Sequence, residues 1–133
     1  MTPVFADATF YIAAVSPRDQ RHAQAKLIAQ SYRGRVVTTE YVLLEVGNFL
    51  SRSTSRAKFV EFVSNLQADS NSEIVASSHN LWTRGLSLYA RRTDKDWSLT
   101  DCISFVIMEE RGLTEALTAD RDFEQAGFTI LLK

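Results

Sequence analysis

Five short apolar runs, separated by longer stretches of helical periodicity, limit this chain to few folds. They are Val4 to Ala6 (VFA), Arg35 to Thr38 (RVVT), Glu73 to Ala76 (EIVA), Glu115 to Thr118 (EALT) and Phe128 to Leu132 (FTILL). Runs of this length, bounded by polar or glycine residues, read as strands. Between the first two, ATFYIAAV predicts a helix that stops before Pro17, because the residue preceding a proline avoids helical geometry. Ser16 is then expected to cap a second helix, with Pro17 at its first position, running to about Ser31. YVLLEVGNFLSR, Arg56 to Leu66, the stretch from Ser77 or Ser78 to Arg91, Leu99 to Glu110, and a turn over Arg121 to Gln125 complete the helices. Strands alternating with helices predict an α/β layer fold with a mainly parallel sheet of four to five strands. No repeat, linker or low-complexity tract divides residues 1–133, so a single domain is expected.

Several function classes recede on composition. The formal net charge is −1, which gives no support for a polyanionic partner, although a local basic patch remains compatible with it. The one cysteine, Cys102, cannot form an internal disulfide and lies in an apolar helical run. The opening MTPVFADATFYIAAV lacks a basic region before its apolar residues, and no apolar run is long enough to span a bilayer. A cytoplasmic protein without membrane association is expected.

The chemistry lies in the acids. Asp7 follows the first strand and Asp120 the fourth; in parallel sheets, ligands bind beyond the carboxyl ends of strands. The helices bearing Glu45 and Asp101 are expected to begin near the same edge. Each acid also has a structural reading. Asp7 and Asp120 suit helix N-caps, and Asp101 completes a capping box with Ser98. Glu45 shares a helical face with Val42 and Phe49 that should point inward, where a carboxylate needs an arginine partner or a metal. Gathered acids repel one another and raise their own pKa values, which a divalent cation relieves. Oxygen donors without clustered His or Cys favour Mg²⁺ or Mn²⁺. The histidines, His22 and His79, lie far apart, and no serine or cysteine nucleophile has a base beside it in the pattern.

These pieces together resemble the PIN-domain ribonucleases, most closely the VapC-type toxins of bacterial toxin–antitoxin pairs. The resemblance rests on Asp7 with Thr9, Glu45 after TTEYVLL, Asp101 in WSLTDCIS, and Thr118, Asp120 and Asp122 in LTADRDF. It implies a three-layer α/β/α sandwich and metal-dependent hydrolysis of RNA phosphodiester bonds. It further implies an acidic pocket of Asp7, Glu45, Asp101 and Asp120. Asp7 and Asp101 would be direct ligands of Mg²⁺ or Mn²⁺, and Glu45 and Asp120 direct or water-mediated ones. Thr9 and Thr118 would steady the pocket, and Asp122 would support it or shape the turn. Asp96 is read as loop. Such toxins commonly form homodimers and are blocked by an antitoxin laid in an apolar groove, for which Phe59, Phe62 and Val63 are candidates. Arg91, Arg92 and Lys95 are candidates for RNA phosphates, and Tyr11 and Trp97 for base stacking. The competing expectation is a non-catalytic scaffold of the same fold that binds RNA or protein. A phospho-acceptor receiver domain fits poorly, since Ala6–Asp7 lacks that fold's acid pair.

Overall fold

The computed structural model describes residues 2–133. Its elements are β1 (Val4–Ala6), α1 (Ala8–Val15), α2 (His22–Ser31), β2 (Val36–Thr39), α3 (Glu40–Phe49), α4 (Arg56–Ala68), β3 (Ser72–Val75), α5 (His79–Arg91), α6 (Leu99–Arg111), β4 (Glu115–Leu117), α7 (Arg121–Gln125) and β5 (Thr129–Ile130). The strands form one five-stranded sheet in the order β3-β2-β1-β4-β5, parallel throughout.

β1 lies at the centre, and all its residues are buried, so helices must cover both faces. On one face Phe5 stacks on Phe123 with centroids 6.3 Å apart, and Phe105 meets Phe123 edge-on at 4.9 Å. Across the sheet, Tyr11 packs against Phe10 at 5.4 Å and Phe62 at 5.2 Å. Helices α1 to α4 associate with one another, as do α5, α6 and α7. This is the expected three-layer sandwich. The order 3-2-1-4-5 reverses between β1 and β4, and that reversal is the switch point at which such sheets open a crevice. No helix among the described residues is long and apolar enough to cross a membrane.

The second helix starts later than its Ser16–Pro17 signal suggests. Residues 17–21 form turns, and α2 begins at His22. Asp19 is the cause: its side chain accepts from the Arg21 amide at 2.8 Å, and its carbonyl accepts from the His22 amide at 3.0 Å. A short acidic side chain that captures nearby amides competes with helix formation. The last strand is also shorter than its apolar run: it spans Thr129–Ile130, although the Leu131 and Leu132 amides still donate to the Ala116 and Thr118 carbonyls. The far end of α6 is tied to β3 by Arg111, whose Nη2 lies 2.7 Å from Glu73 Oε2.

α5 and α6 approach closely at Gly85, where a Cβ would collide with Cγ1 of Ile103 and lie 3.3 Å from its Cα. Ile103 is 1% exposed and β-branched, so it has nowhere to turn. Gly85→Ala is therefore expected to destabilise the fold by about 1–3 kcal/mol, despite alanine's better helix propensity. Urea denaturation would measure it; an unchanged or raised midpoint would contradict this packing.

Candidate active site

Four separate elements deliver acids to the switch point. Asp7 follows β1 and Asp120 follows β4; Asp101 lies in the first turn of α6 and Glu45 midway along α3. One cleft of about 580 Å³ is lined by Asp7, Glu45, Asp96, Asp101, Asp120 and Asp122. Among the described residues, no lysine or arginine lines it. Among the described residues, none of these acids forms an ion pair; the salt bridges lie elsewhere, on Glu73, Glu110, Asp94 and Glu124.

Asp7 occupies the N-cap position of α1, but its side chain makes no cap bond. Its Oδ2 instead accepts from the Thr118 hydroxyl at 3.0 Å. Thr118 also accepts from the Asp120 amide at 3.0 Å and lies 3.0 Å from the Thr9 hydroxyl. With the Thr118 proton given to Asp7, the single Thr9 hydroxyl proton goes either to Thr118 at 3.0 Å or to Asp7 Oδ2 at 3.4 Å. Thr9 in turn accepts from the Ala119 amide at 3.2 Å. The two threonines thus link Asp7 to the backbone that carries Asp120.

Two acids do cap helices. Asp101 completes the box with Ser98: its amide donates to Ser98 Oγ at 3.0 Å, and its Oδ2 accepts from the Ser98 amide at 3.3 Å. Asp120 caps α7 by accepting from the Asp122 amide at 2.9 Å. Capping and facing the cleft are compatible, because a cap bond occupies one of a carboxylate's four lone-pair directions.

Glu45 sits on the row from Val42 to Phe49, and that row leaves the core along its length. Val42 is fully buried, Glu45 is half-buried, and Phe49 is 59% exposed at the cleft rim. The expected inward face therefore holds only for its first turn. No arginine meets Glu45.

The crowding is felt electrostatically. Burial pushes Asp101 up to about 7, with the neighbouring charges of Asp7 and Asp120 adding to it. Burial likewise raises Asp7, against the pull of the Thr118 hydroxyl, and raises Glu45, helped by Asp7 and Asp120. Asp122 is raised by burial, then by Asp120 and Asp96.

One oxygen each from Asp101, Asp120 and Asp122 lies within 4.8 Å of the others. Oxygens on opposite sides of Mg²⁺ lie about 4 Å apart, so a small side-chain adjustment would let this trio share an ion. The donors are all hard oxygens carrying excess negative charge, which suits a divalent cation and not a thiophilic one. The residues present fit the expected metal.

Asp122 joins the trio more directly than a turn-shaping residue would. Asp96, read from sequence as loop, also lines the cleft. Its position two residues before the Ser98 cap, hence at the same sheet edge, was the available signal. Of the basic candidates, Arg92 is engaged by Asp94 through two bonds of 3.0 Å and lies 4.7 Å over the Trp97 ring. Arg91 bonds the Ser87 carbonyl on α5 and lines a groove that includes none of the cleft acids. Lys95 is half-buried, and its charge is felt at Asp122. Tyr11 and Trp97 are buried core residues, 4% and 6% exposed, so neither presents a face for stacking. His22 bonds the Ala13 carbonyl at 2.8 Å, and His79 lies 3.4 Å from Thr83 on the same helix.

Known proteins share this fold. The chain matches the PIN domain over residues 4–129. It is 29% identical over 128 residues to the 23S rRNA-specific endonuclease VapC20 of Mycobacterium tuberculosis, covering 94% of this chain and 95% of that one. The crystal structure of VapC20, described as a sarcin-ricin loop cleaving toxin, superposes with a TM-score of 0.87 at 25% identity over 98% of this chain and 99% of that one. VapBC2 from Rickettsia felis, bound to a promoter DNA fragment, shares the fold at a TM-score of 0.68 and 12% identity, with 98% of each chain covered. With a domain match that takes in every element from β1 to the start of β5, the chain belongs to the PIN-domain family.

Proposed function

We propose that the chain is a Mg²⁺- or Mn²⁺-dependent endoribonuclease, the toxin of a toxin–antitoxin pair acting in the cytoplasm, with Asp7, Glu45, Asp101 and Asp120 as its catalytic carboxylates. The observation that carries this is the cleft itself: six acids at the switch point without a cation among its lining residues. Such a cluster is poorly tolerated unless an ion neutralises it. Asp101, Asp120 and Asp122 would hold the ion, with the free oxygen of Asp7 and the carboxylate of Glu45 alongside. A bound divalent ion would supply the charge that acidifies a water and offsets the negative charge growing on the phosphoryl group. Thr118 and Thr9 keep Asp7 turned toward the centre, and the Ser98 box fixes Asp101 at the helix start. No histidine base is needed.

RNA as substrate is favoured over DNA by the similarity to VapC20, an rRNA endonuclease. An antitoxin partner is supported by the likeness to VapBC assemblies. On α4, Phe59 and Val63 line a groove against Leu43 and Leu44 of α3 that suits an amphipathic helix. Phe62 is occupied by Tyr11 and is taken out of that role. Trp82, Leu86 and Tyr89 stand exposed along one stripe of α5 and would form the face of a homodimer.

The test is cleavage of labelled RNA by purified protein with Mg²⁺ or Mn²⁺, with and without EDTA. Cutting that requires the ion supports the nuclease; binding without cutting supports the scaffold, and cutting that survives excess EDTA overturns the metal mechanism.

A further inference from the structure

The rim of the cleft carries two residues that the acid chemistry does not use. Asn48 and Phe49 end α3, one turn beyond Glu45, and line the same cleft. Phe49 is 59% exposed and takes no part in the core. Its backbone is nonetheless held: Val46 is fully buried, Leu50 is 7% exposed, and the Leu50 amide donates to the Val46 carbonyl at 3.0 Å. An isolated exposed phenylalanine means little. This one stands where a polyanion must be gripped beside six carboxylates.

Among the described residues no lysine or arginine lines the cleft itself, so cationic side chains do not hold RNA within it. Cations stand in the adjoining hollows: Lys95 in one that shares Asp96 and Ser98 with the cleft, and Arg56 in one that shares Asn48 with it. Inside the cleft, side-chain affinity on the α3 bank must therefore come from uncharged contacts. An aromatic face stacks on any base, and a free carboxamide offers a donor and an acceptor to a base edge. The two lie on successive residues with a rigid anchor on either side.

Resting on the nuclease reading above, we infer that Phe49 and Asn48 form a base-holding subsite next to the scissile phosphate, with Lys95 taking a phosphate on the opposite bank. A base can reach this ring only when unstacked from its neighbours, so the nucleotide seated here is unpaired.

The experiment uses a single-stranded oligoribonucleotide carrying 2-aminopurine, with Ca²⁺ as the probe cation for binding and Mn²⁺ for cleavage. Wild type is compared with Phe49→Ala, Phe49→Tyr and Asn48→Ala. Phe49→Ala is expected to weaken binding about tenfold or more, to abolish quenching of the fluorescent base, and to act mainly on KM. Phe49→Tyr should restore all three, and Asn48→Ala should weaken binding while keeping the quench. Wild-type affinity and quenching in Phe49→Ala would overturn the subsite. So would a smaller assembly in light scattering, which would assign the ring to an interface between copies. If wild type binds but never cuts, the nuclease reading fails while the binding arm still decides the subsite.

Discussion

Replacing Asp101 by asparagine is expected to lower metal-dependent RNA cleavage by about a thousandfold or more and, in EDTA at pH 8, to make the protein more stable. The two effects have one cause. Asp101 is 6% exposed, has no cationic partner, and faces the charges of Asp7 and Asp120. Removing its charge takes one carboxylate out of the trio with Asp120 and Asp122 that is proposed to hold the ion, and also removes a repulsion the fold otherwise bears. Asparagine keeps a carbonyl oxygen that can accept from the Ser98 amide, so the helix start survives. A gain in Tm of about 5 °C or more corresponds to relief of one to two kcal/mol in a domain of this size. Cleavage at wild-type rates by Asp101→Asn would remove this residue from the mechanism. A lower Tm in EDTA would mean that the cap, and not the charge, governs the position.

Without divalent ions, the wild-type protein is expected to lose stability as the pH rises from 5 to 8, and Mn²⁺ is expected to restore it mainly at the upper end. Asp101 titrates at about 7 in the folded chain, against an ordinary value of 3.8. Between these values the folded state keeps a proton that the unfolded state has released. Raising the pH therefore favours unfolding, and the loss is complete above about 7. By linkage the part of the loss that falls between pH 5 and 7 amounts to about 1–3 kcal/mol once water access to the cleft is allowed for. Asp7, Glu45 and Asp122 are raised as well and act in the same direction. Starting at pH 5 keeps surface pairs out of the comparison: Glu73, held below its ordinary value by Arg111, is already ionised there. Metal binding needs deprotonated ligands, so stabilisation by Mn²⁺ should be large at pH 8 and small at pH 5. Thermal melts in EDTA and in Mn²⁺ at both pH values would test this. Rising stability across that interval in EDTA would be incompatible with a crowded, unpaired cluster.

The order of elements was legible because it follows from local signals: short apolar runs, caps and prolines. Asp7 and Asp120 could be placed at one edge because each directly follows a strand, and parallel strands share their carboxyl ends. Glu45 was legible as a charge on an apolar face. What the sequence hid depends on tertiary geometry. Nothing in DKDWSLTD says that Asp96 turns into the cleft while Asp94 turns to Arg92. The exposure of Phe49 depends on how α3 leaves the core, which a helical wheel does not contain. The late start of α2 turned on one side chain, Asp19, outcompeting a proline signal.

The bond between Thr118 and Asp7 joins residues 111 positions apart, and β1 is flanked by β4 in the finished sheet. A ribosome making this chain has released Asp7 long before its partners exist. Until residues 115–122 have been made, the polypeptide lacks both Asp120 and the Thr118 that holds Asp7, so the acidic cleft cannot assemble however early β1 emerges.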